Sequence, residues 1–486
     1  MRVLLTSCAL VLCGCAVGPD FQSPAAPDTQ TYTHEALPER TASAGGVAGS
    51  AQAFSVAPSA VPAWWRQFQS DALDRLVDQA LRQSPTLDEA RAKLIEAREN
   101  TTALAGSTQF PRVDATLSGT REKVDPAAFG VPLVQNPGPF SLFNASVSVS
   151  YVFDIFGGNR RAIEASLAQV DYASYELDAA RLSIAGNVVS TAVRRASLQQ
   201  QITLTQRLAD AQARQLSITE ARFSAGGVSQ LDVRSQRTLL AQTRASLPPL
   251  AQQLAAADHQ LAILLGIAPS KADFSDLTFD TLHLPEDLPV TLPSTLAHAR
   301  PDIRASEALL HQASANVGVA TANLYPQFTL SAGIGSERTN VNDIVNGLNI
   351  WNIGLNLTQP IFHGGELHAK KRAAQAAYDA AFASYRQTVL QALQQVADSL
   401  TALQSDALAL QARDVAAQEA QASLDIARRQ YTAGGISQIN LLDAERQALQ
   451  TSLDRTRAQA DRFTDTAALF QALGGEMTDT TLGGTP

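Results

Sequence analysis

The stretch Ala225-Gly-Gly-Val-Ser-Gln-Leu231 recurs as Ala433-Gly-Gly-Ile-Ser-Gln-Ile439, 208 positions further along the chain. A sequence that repeats itself at one long interval indicates a duplicated structural unit. The chain is therefore predicted to contain two tandem structural repeats, which cover residues 63–270 and 271–475.

Each repeat is predicted to hold a helix, two strands, a very long helix, the Gly-Gly turn and a final helix. The expected helices cover residues 73–106, 160–222 and 230–265, and then 295–324, 367–431 and 437–473. Proline interrupts helix interiors, and the chain has none from Phe140 to Leu247 or from Ile361 to Thr485. The pair Pro248-Pro249 is expected to break or kink the final helix of the first repeat.

The long helix of the second repeat carries the pattern of a coiled-coil seam. Apolar and small residues step alternately by three and four at Leu393, Val396, Leu400, Leu403, Ala407 and Leu410. The same register continues through Asp414, Ala417, Gln421, Leu424, Arg428 and Tyr431. This spacing is typical of a coiled coil, and its polar content rises toward the Gly-Gly turn.

Four segments alternate between apolar and polar residues, which is the pattern of β-strands with two different faces. The apolar positions are Val113, Ala115 and Leu117; Val147, Val149, Tyr151 and Phe153; Phe328, Leu330, Ala332 and Ile334; and Trp351, Ile353, Leu355 and Leu357. Each segment has roughly the 10 residues with which a tilted strand crosses a bilayer. The alternation alone fits a soluble sandwich equally well.

The number of strands favours an oligomer in the membrane. Four strands cannot close a barrel, because the smallest membrane barrels have about eight strands. Three copies would pool about twelve strands and leave an aqueous bore. The predicted fold class is an α+β membrane protein, with a long α-helical coiled-coil rod and four transmembrane β-strands per chain that complete a barrel only in an oligomer.

The beginning of the chain has the features of a secretory signal. An uncharged apolar run, Val3–Leu12, follows Arg2 and ends in Leu12-Cys13-Gly14-Cys15. Residues 1–14 are predicted to be a signal peptide. Because two of the three cysteines leave with it, Cys15 remains alone and no disulfide can form within the mature chain.

Residues 15–62 are expected to form a lipidated, extended N-terminal segment. Six prolines, together with the small-residue tract Ser43–Ala53, exclude a helix or a central strand here. We expect the segment to run over the surface and to be loosely ordered in its middle. Residues 476–486 are predicted to be a flexible C-terminal tail.

The composition excludes several classes of protein. The 486 residues carry a net charge of -9 and 17% charged residues, which excludes collagen, a disordered chain and a basic nucleic-acid binder. The chain lacks the common nucleophile and dinucleotide motifs, so no enzyme is predicted. His363, Glu366 and His368 are expected to lie in a polar turn rather than to bind a metal, and Met477 alone cannot form a methionine relay.

A series of short motifs occurs in order from Cys15 to about Gly475. They are Leu12–Cys15, Cys15-Ala-Val-Gly-Pro-Asp-Phe21, Trp64-Trp65 with Phe68, Asp71, Leu73 and Leu76, Arg300-Pro-Asp-Ile-Arg304 with Glu307, Gly318-Val-Ala320 with Tyr325-Pro326, Pro360-Ile-Phe362, and both Ala-Gly-Gly turns. Leu12–Cys15 resembles the bacterial lipobox. Together the motifs resemble the TolC-like outer membrane factor family, in particular its NodT-type lipoproteins of resistance-nodulation-division efflux pumps.

The resemblance implies a homotrimeric channel, with four transmembrane β-strands per chain in a trimeric 12-stranded barrel and a long α-helical coiled-coil tunnel across the periplasm. This channel would be the exit duct of a tripartite system exporting small molecules such as drugs or toxic compounds. The implied partners are a periplasmic adaptor protein, an inner-membrane transporter of the resistance-nodulation-division type and outer membrane lipid. The implied location is the outer membrane, lipid-anchored through Cys15 and barrel-inserted, with the helices extending into the periplasm. No cofactor is expected apart from this covalent lipid.

The resemblance also implies roles for two groups of residues. The adaptor-binding tips would be Gly226, Gly227, Val228, Ser229, Gly434, Gly435, Ile436 and Ser437. The gate at the tunnel entrance would comprise Asp443, Asn440, Ile439, Tyr431 and Asp232, with Asp232 and Tyr431 as a hydrogen-bonded pair. Asn440 stands where many relatives have a second acidic residue, so packing of Ile439 is an alternative means of closure.

Several alternatives remain open at this point. The Gly-Gly turns could be tight helical hairpins with no partner, with Ser229 and Asp232 as a capping box. Asp443 could be a solvated charge rather than part of a ring that attracts cations. The whole protein could be a duct for protein secretion of the type I kind, or a non-conducting envelope tether.

Overall fold

The computed structural model describes residues 16–59, 61–123 and 138–474. The predicted signal peptide, Cys15 and the predicted tail at 476–486 lie outside the described residues. The chain divides into two compact units, and each predicted repeat contributes to both. The first unit contains the described parts of residues 1–24, 93–173 and 306–385, and the second those of residues 25–92, 174–305 and 386–486.

Strands and helices follow one another in two similar series. The strands are β1 Ala53–Ala57, β2 Arg112–Glu122, β3 Phe140–Phe153, β4 Asp287–Thr291, β5 Gln327–Arg338 and β6 Ile350–Thr358. The helices are α1 Asp71–Gln83, α2 Pro85–Gln109, α3 Gly158–Ser224, α4 Gln230–Ala245, α5 Leu247–Leu264, α6 Pro293–Ala299, α7 Pro301–Ala322, α8 Glu366–Thr432 and α9 Gln438–Ala472.

The first helix of each repeat is broken, so the predictions of single helices at 73–106 and 295–324 are wrong. The breaks fall at Ser84-Pro85 and Arg300-Pro301, where the residue before proline has ψ of 123° and 128°. Proline crowds the preceding residue out of the helical conformation and starts a new helix as its first residue. Proline, whose absence allows the two long helices, therefore divides these shorter ones.

The two long helices are confirmed, and each has 67 residues. The ends of α8 lie 208 positions after the ends of α3, which is the interval of the repeated Ala-Gly-Gly stretch. The expected break before Pro248-Pro249 is also confirmed, because α4 ends at Ala245 and α5 begins at Leu247.

The predicted seam of α8 is buried along most of its length. Its buried members are Val396, Leu400, Leu403, Ala407, Leu410, Asp414, Ala417, Leu424 and Tyr431. The prediction is wrong at Gln421, which is exposed, and at Arg428, which is half-buried. Ala420 and Ala427 occupy the buried positions there. The buried positions step by three from Asp414 to Ala417 and by three again to Ala420, which moves the seam one residue away from Gln421. Small apolar side chains are favoured at these positions because they are buried at lower cost than an amide or a guanidinium.

The four predicted strands of the first unit are confirmed and form one antiparallel sheet in the order β2-β3-β5-β6. The register places apolar residues side by side in rows. Two such rows are Val113, Val149, Ala332 and Ile353, and Ala115, Val147, Ile334 and Trp351. The row between them is Asp114, Ser148, Gly333 and Asn352. One face of the sheet is therefore apolar and the other polar.

Much of the apolar face of this sheet is exposed in the single chain. Its exposed large side chains include Val113, Leu117, Val147, Ile334, Trp351, Ile353, Leu355 and Leu357. In the part of the chain that the structure describes, no helix is both long and apolar enough to cross a membrane.

The middle of the N-terminal segment, which the sequence predicts to be loosely ordered, is packed into the second unit. In the second unit β1 pairs with β4 in parallel. Within the preceding loop, Ala48 and Gln52 are buried. The fully buried Arg462 donates hydrogen bonds to the Ala48 carbonyl at 2.6 Å, to the Gln52 side chain at 2.9 Å and to Thr41 at 3.3 Å. The small residues of this loop, which contains no proline between positions 41 and 53, enclose the cation.

Arg462 also lies in the field of a buried carboxyl group. Burial, a hydrogen bond with Asp465 and the charges of Asp465 and Asp461 together raise the pKa of Asp406 to about 8, although Arg462 opposes the rise. Burial lowers the pKa of Arg462 to about 10, so the guanidinium stays charged at neutral pH.

Candidate functional site

Each Gly-Gly turn ends its long helix with the same backbone motif. The Gly227 N–H donates to the Arg222 carbonyl at 2.8 Å, and the Gly435 N–H donates to the Gln430 carbonyl at 2.8 Å. The shorter bonds of the motif start from the preceding glycine, Gly226 in one turn and Gly434 in the other. This is the Schellman ending of a helix, in which two otherwise free carbonyls are satisfied.

The conformational demand falls on the first glycine of each pair. Gly226 has φ of 77° and Gly434 has φ of 76°, whereas Gly227 and Gly435 have ordinary negative φ. The sequence could not tell which glycine of a pair is left-handed. A side chain at Gly226 or Gly434 would strain the turn even though the space around both is open.

The helices that follow the two turns begin differently. At the start of α4, the Ser229 hydroxyl accepts from the Asp232 N–H and the Asp232 carboxylate accepts from the Ser229 N–H, so the predicted capping box is present. At the start of α9, the Ser437 side chain makes no such bond. Asn440 stands 208 positions after Asp232, at the position that closes the box in the first turn.

The predicted gate residues of α9 share one exposed surface. Ile439, Asn440 and Asp443 are all exposed, and their spacing places them on neighbouring positions of the helix. The Asp443 carboxylate accepts a hydrogen bond from Arg446 at 2.8 Å, so this acidic position is paired with a cation one turn further on. A ring formed by three copies of Asp443 would therefore bring three arginines with it.

The expected pair of Asp232 and Tyr431 is wrong within the chain. The Asp232 carboxylate accepts from Ser229, through both the backbone N–H and the hydroxyl. The Tyr431 hydroxyl instead donates to the Gln438 side-chain oxygen at 2.5 Å. Asp232 is drawn to the end of its own helix because the free N–H groups there attract a carboxylate.

Gln438 continues a chain of hydrogen bonds that joins the two hairpins of the second unit. Its side-chain nitrogen donates to the Gln236 side-chain oxygen at 2.9 Å, and Gln236 in turn donates to the Gln212 carbonyl at 3.4 Å. The Arg222 guanidinium lies over the Tyr431 ring, 5.4 Å from its centroid. Residues of α3, α4, α8 and α9 are thus linked through one polar layer.

An ion pair joins the two helices of each hairpin, with the charges exchanged between repeats. In the first hairpin, Arg237 contacts Glu220 at 2.6 Å; in the second, Arg428 contacts Glu445 at 3.8 Å. Arg428 and Glu445 stand 208 positions after Glu220 and Arg237. Burial raises the pKa of Glu445, and Arg428 opposes this rise.

Sequence reasoning missed Gln236 and Gln438, although the repeat contains a signal for Gln236. Tyr431, Gln438 and the alanine Ala444 stand 208 positions after Phe223, Gln230 and Gln236. At Phe223 and Tyr431, and again at Gln236 and Ala444, one repeat has a hydrogen-bonding side chain and the other has an apolar one. The two hairpins therefore cannot make the same hydrogen bonds at these positions. Amide side chains on a helix face otherwise give no indication of burial.

The first described residues are held firmly in the first unit. The Val17 N–H donates to the Phe156 carbonyl at 3.0 Å, and Arg161 donates to Asp20 at 2.6 Å. A methyl group on Gly18 would lie 2.4 Å from Cα of Gly318, so both glycines allow a close approach of two backbones. The residues that follow Cys15 are therefore fixed in place.

A sheet with an exposed apolar face, accompanied by two helices of 67 residues each, is typical of a membrane-associated protein. The family model of outer membrane efflux proteins matches residues 76–267 and 292–475. The chain therefore belongs to the outer membrane efflux protein family, is a protein of the outer membrane and is not an enzyme.

Relatives of known description agree with this membership. The chain is 31% identical to the pyoverdine export outer membrane protein OpmQ of Pseudomonas putida, over 85% of this chain and 87% of that protein. It is 28% identical to nodulation protein T of Rhizobium leguminosarum bv. viciae, over 96% of this chain and 92% of that protein. The structure of the outer-membrane channel OprN superimposes with a TM-score of 0.82 and 28% identity, covering 95% of this chain and 99% of that one.

Proposed function

We propose that three copies of this chain form one exit duct for small molecules, the outer membrane component of a tripartite efflux system. In this proposal the strands form a 12-stranded transmembrane barrel and the long helices form a periplasmic tunnel with a gated entrance. A periplasmic adaptor contacts the hairpin ends, and an inner-membrane transporter of the resistance-nodulation-division type supplies the energy.

The observation that carries this proposal is the exposed apolar face of the four-stranded sheet. Ile353 and Trp351 are 70% and 77% exposed, although large apolar side chains in a contiguous patch are rarely left in water. Contact with the hydrocarbon of a bilayer gives this face a favourable environment, while the polar face with Ser148 and Asn352 can line water.

The edges of the sheet support assembly from several copies. Within the described ranges β2 and β6 are the outer strands, and their unpaired backbone groups are costly in hydrocarbon. Three antiparallel pairings place β2 and β6 in opposite directions. The β6 strand of one copy can therefore pair antiparallel with β2 of the next, and a ring of copies leaves no free edge.

The relatives favour small molecules as cargo. OpmQ is named for the export of pyoverdine, and its similarity covers most of both chains. We therefore favour small-molecule efflux over protein secretion or a non-conducting tether.

The adaptor contact is tested at the left-handed glycines. We expect Gly226→Val together with Gly434→Val to abolish most adaptor-dependent export, because each left-handed valine costs about 1 to 3 kcal/mol and distorts the turn. Gly227→Ala with Gly435→Ala is the matched control, since neither position has positive φ. Minimum inhibitory concentrations in a strain that expresses the cognate adaptor and transporter provide the readout. Full resistance in the valine variant, at equal amounts of trimer, would show that the turns have only a structural role.

The proposed lipid anchor is supported by the fixed position of the residues after Cys15. We expect Cys15→Ser to eliminate metabolic labelling with a fatty acid, since the thiol is the acceptor of the lipid, while strand insertion still delivers the protein to the outer membrane. Detection of Cys15 with a free thiol in the mature wild-type protein by mass spectrometry would end this part of the proposal.

A further inference from the structure

We propose that the loop end of the four-stranded sheet carries a binding site for the phosphate groups of an anionic membrane lipid. The site consists of Arg121 near the end of β2, Lys123 directly after β2 and Arg338 at the end of β5. We call these three residues the basic rim. The inference rests on the proposed function, because it requires the apolar face of the sheet to lie against the bilayer.

The register of the strands places the basic rim on the apolar face of the sheet. Arg338 lies in one row with Gly119 and Phe143, and this row belongs to the apolar face because even steps along a strand return to the same side. Arg121 stands two positions after Gly119, and Lys123 continues this spacing directly after the strand. On the described strands, Arg121 and Arg338 are the only charged residues of that face.

The basic rim lies about the height of a membrane's apolar band away from a pair of aromatic residues. Phe328 and Phe153 are paired across β5 and β3, and Arg338 stands ten positions after Phe328. Ten residues of antiparallel strand span about 34 Å, which a tilt of about 40° reduces to a height of about 26 Å. The apolar band of a membrane barrel is about 25 Å tall. Since α3 leaves the sheet at the end with Phe153, the basic rim lies at the opposite, outer surface of the hydrocarbon.

The carboxylates that neighbour the rim in the chain face the other side of the sheet. Glu122 and Glu337 lie on the polar face. The Glu122 carboxylate accepts a hydrogen bond from the Thr120 hydroxyl at 3.1 Å, and the Glu337 carboxylate accepts one from the Asn144 side-chain amide at 3.3 Å. Among the described residues, no cation of the basic rim takes part in an ion pair. Their charges are therefore available to an external anion.

The three cations are close enough to serve one headgroup. Only β3 separates β2 from β5, so the two strands lie about 10 Å apart. Arg121 and Lys123 are exposed, and Arg338 is half-buried and donates to the Gly347 carbonyl at 3.4 Å. Arginine binds phosphate oxygens through parallel N–H groups, and lysine binds them as a point charge. A headgroup with more than one phosphate fits this spacing.

A lipid complements the whole face, whereas a free anion would complement only its charged end. The rows next to the basic rim are apolar and include the exposed Leu117 and Trp351, which suit acyl chains. Cations that face lipid are costly in the middle of the bilayer but tolerated at its surface. Phosphate between like charges also relieves their mutual repulsion. We therefore assign the site to a lipid of the outer leaflet.

The test measures how lipid A, a glycolipid with two phosphates, binds to purified and delipidated trimers in native mass spectrometry. Each cation near a membrane surface favours anionic lipid about fivefold, so Arg121→Gln, Lys123→Gln and Arg338→Gln together should weaken binding about a hundredfold. Arg112→Gln is the matched control, because Arg112 lies on β2 but on the polar face, where it pairs with Asp114 at 2.8 Å. The control should bind lipid A as wild type does.

Unchanged affinity in the triple variant, at equal amounts of heat-resistant trimer, would overturn the assignment. Equal affinity for lipid A without its phosphates would also overturn it, and displacement of lipid A by millimolar inorganic phosphate would replace the lipid with a free anion. Should the triple variant fail to assemble, Arg121→Gln decides through a fivefold loss.

Conductance of the same trimers in planar bilayers separates this site from the duct. A wild-type trimer that conducts, but binds lipid A as tightly without the three cations, refutes the basic rim and leaves the duct intact. A trimer that binds lipid A through the basic rim but never conducts refutes the duct and leaves the lipid site intact.

Discussion

Ile353→Arg should prevent stable insertion of the protein into the outer membrane. Ile353 lies in the middle of β6 on the apolar face, between Ala332 on the neighbouring strand and the open edge of the sheet. An arginine facing lipid at mid-depth costs about 2 to 4 kcal/mol per strand, and a trimer carries the change three times. Heat-resistant trimer in outer membrane fractions, measured by gel mobility without boiling, should fall to near background.

Asn352→Arg provides the matched control. It places the same charge one residue away on the same strand, but in the polar row with Ser148 and Gly333. We expect normal amounts of trimer, since a polar face that lines water tolerates a cation. Equal loss in both variants would contradict the assignment of the two faces, and equal tolerance would contradict contact of Ile353 with lipid.

Arg462→Met should release the loop of residues 41–53 from the second unit. The change removes the donor for the Ala48 carbonyl and the Gln52 side chain, and it also removes the cation that opposes the raised pKa of Asp406. The loss leaves the Ala48 carbonyl and the buried Gln52 side chain without this donor, and an unsatisfied buried acceptor costs about 1 to 3 kcal/mol. We expect rapid trypsin cleavage after Arg40, identified by a new N-terminus at Thr41.

Arg413→Met distinguishes this buried role from general charge loss. Arg413 and Asp461 approach only to 4.0 Å and both are exposed, so their pair contributes little. The control should be cleaved after Arg40 as slowly as wild type. Slow cleavage in Arg462→Met as well would mean that the pairing of β1 with β4 holds the loop without the guanidinium.

Much of the architecture follows from patterns that a sequence displays directly. Strict alternation predicts the four strands, because side chains on successive strand residues face opposite sides. The absence of proline and the recurring Ala-Gly-Gly stretch predict both long helices and their common end. The same reasoning fails at Ser84-Pro85 and Arg300-Pro301, where proline is compatible with a helix start but not with a continuous helix.

The hairpin contacts were less accessible to sequence reasoning. The choice of partner for Tyr431 depends on which of several polar side chains lies closest, and Gln438 is only seven positions away. Asp232 has a local partner in Ser229 that is available as soon as the helix begins. Arg462 shows the same limit, since a lone arginine on a helix gives no sign that a distant loop encloses it.

The most direct test of the account is the conductance of the purified protein after separation by native mass in detergent. We expect the fraction with three times the mass of one chain to give discrete conductance steps in planar bilayers. The monomer fraction should give none, because the sheet of a single chain has two unpaired edge strands. Conductance from the monomer, or a trimer that inserts into the bilayer but never conducts, would contradict a duct built from three chains.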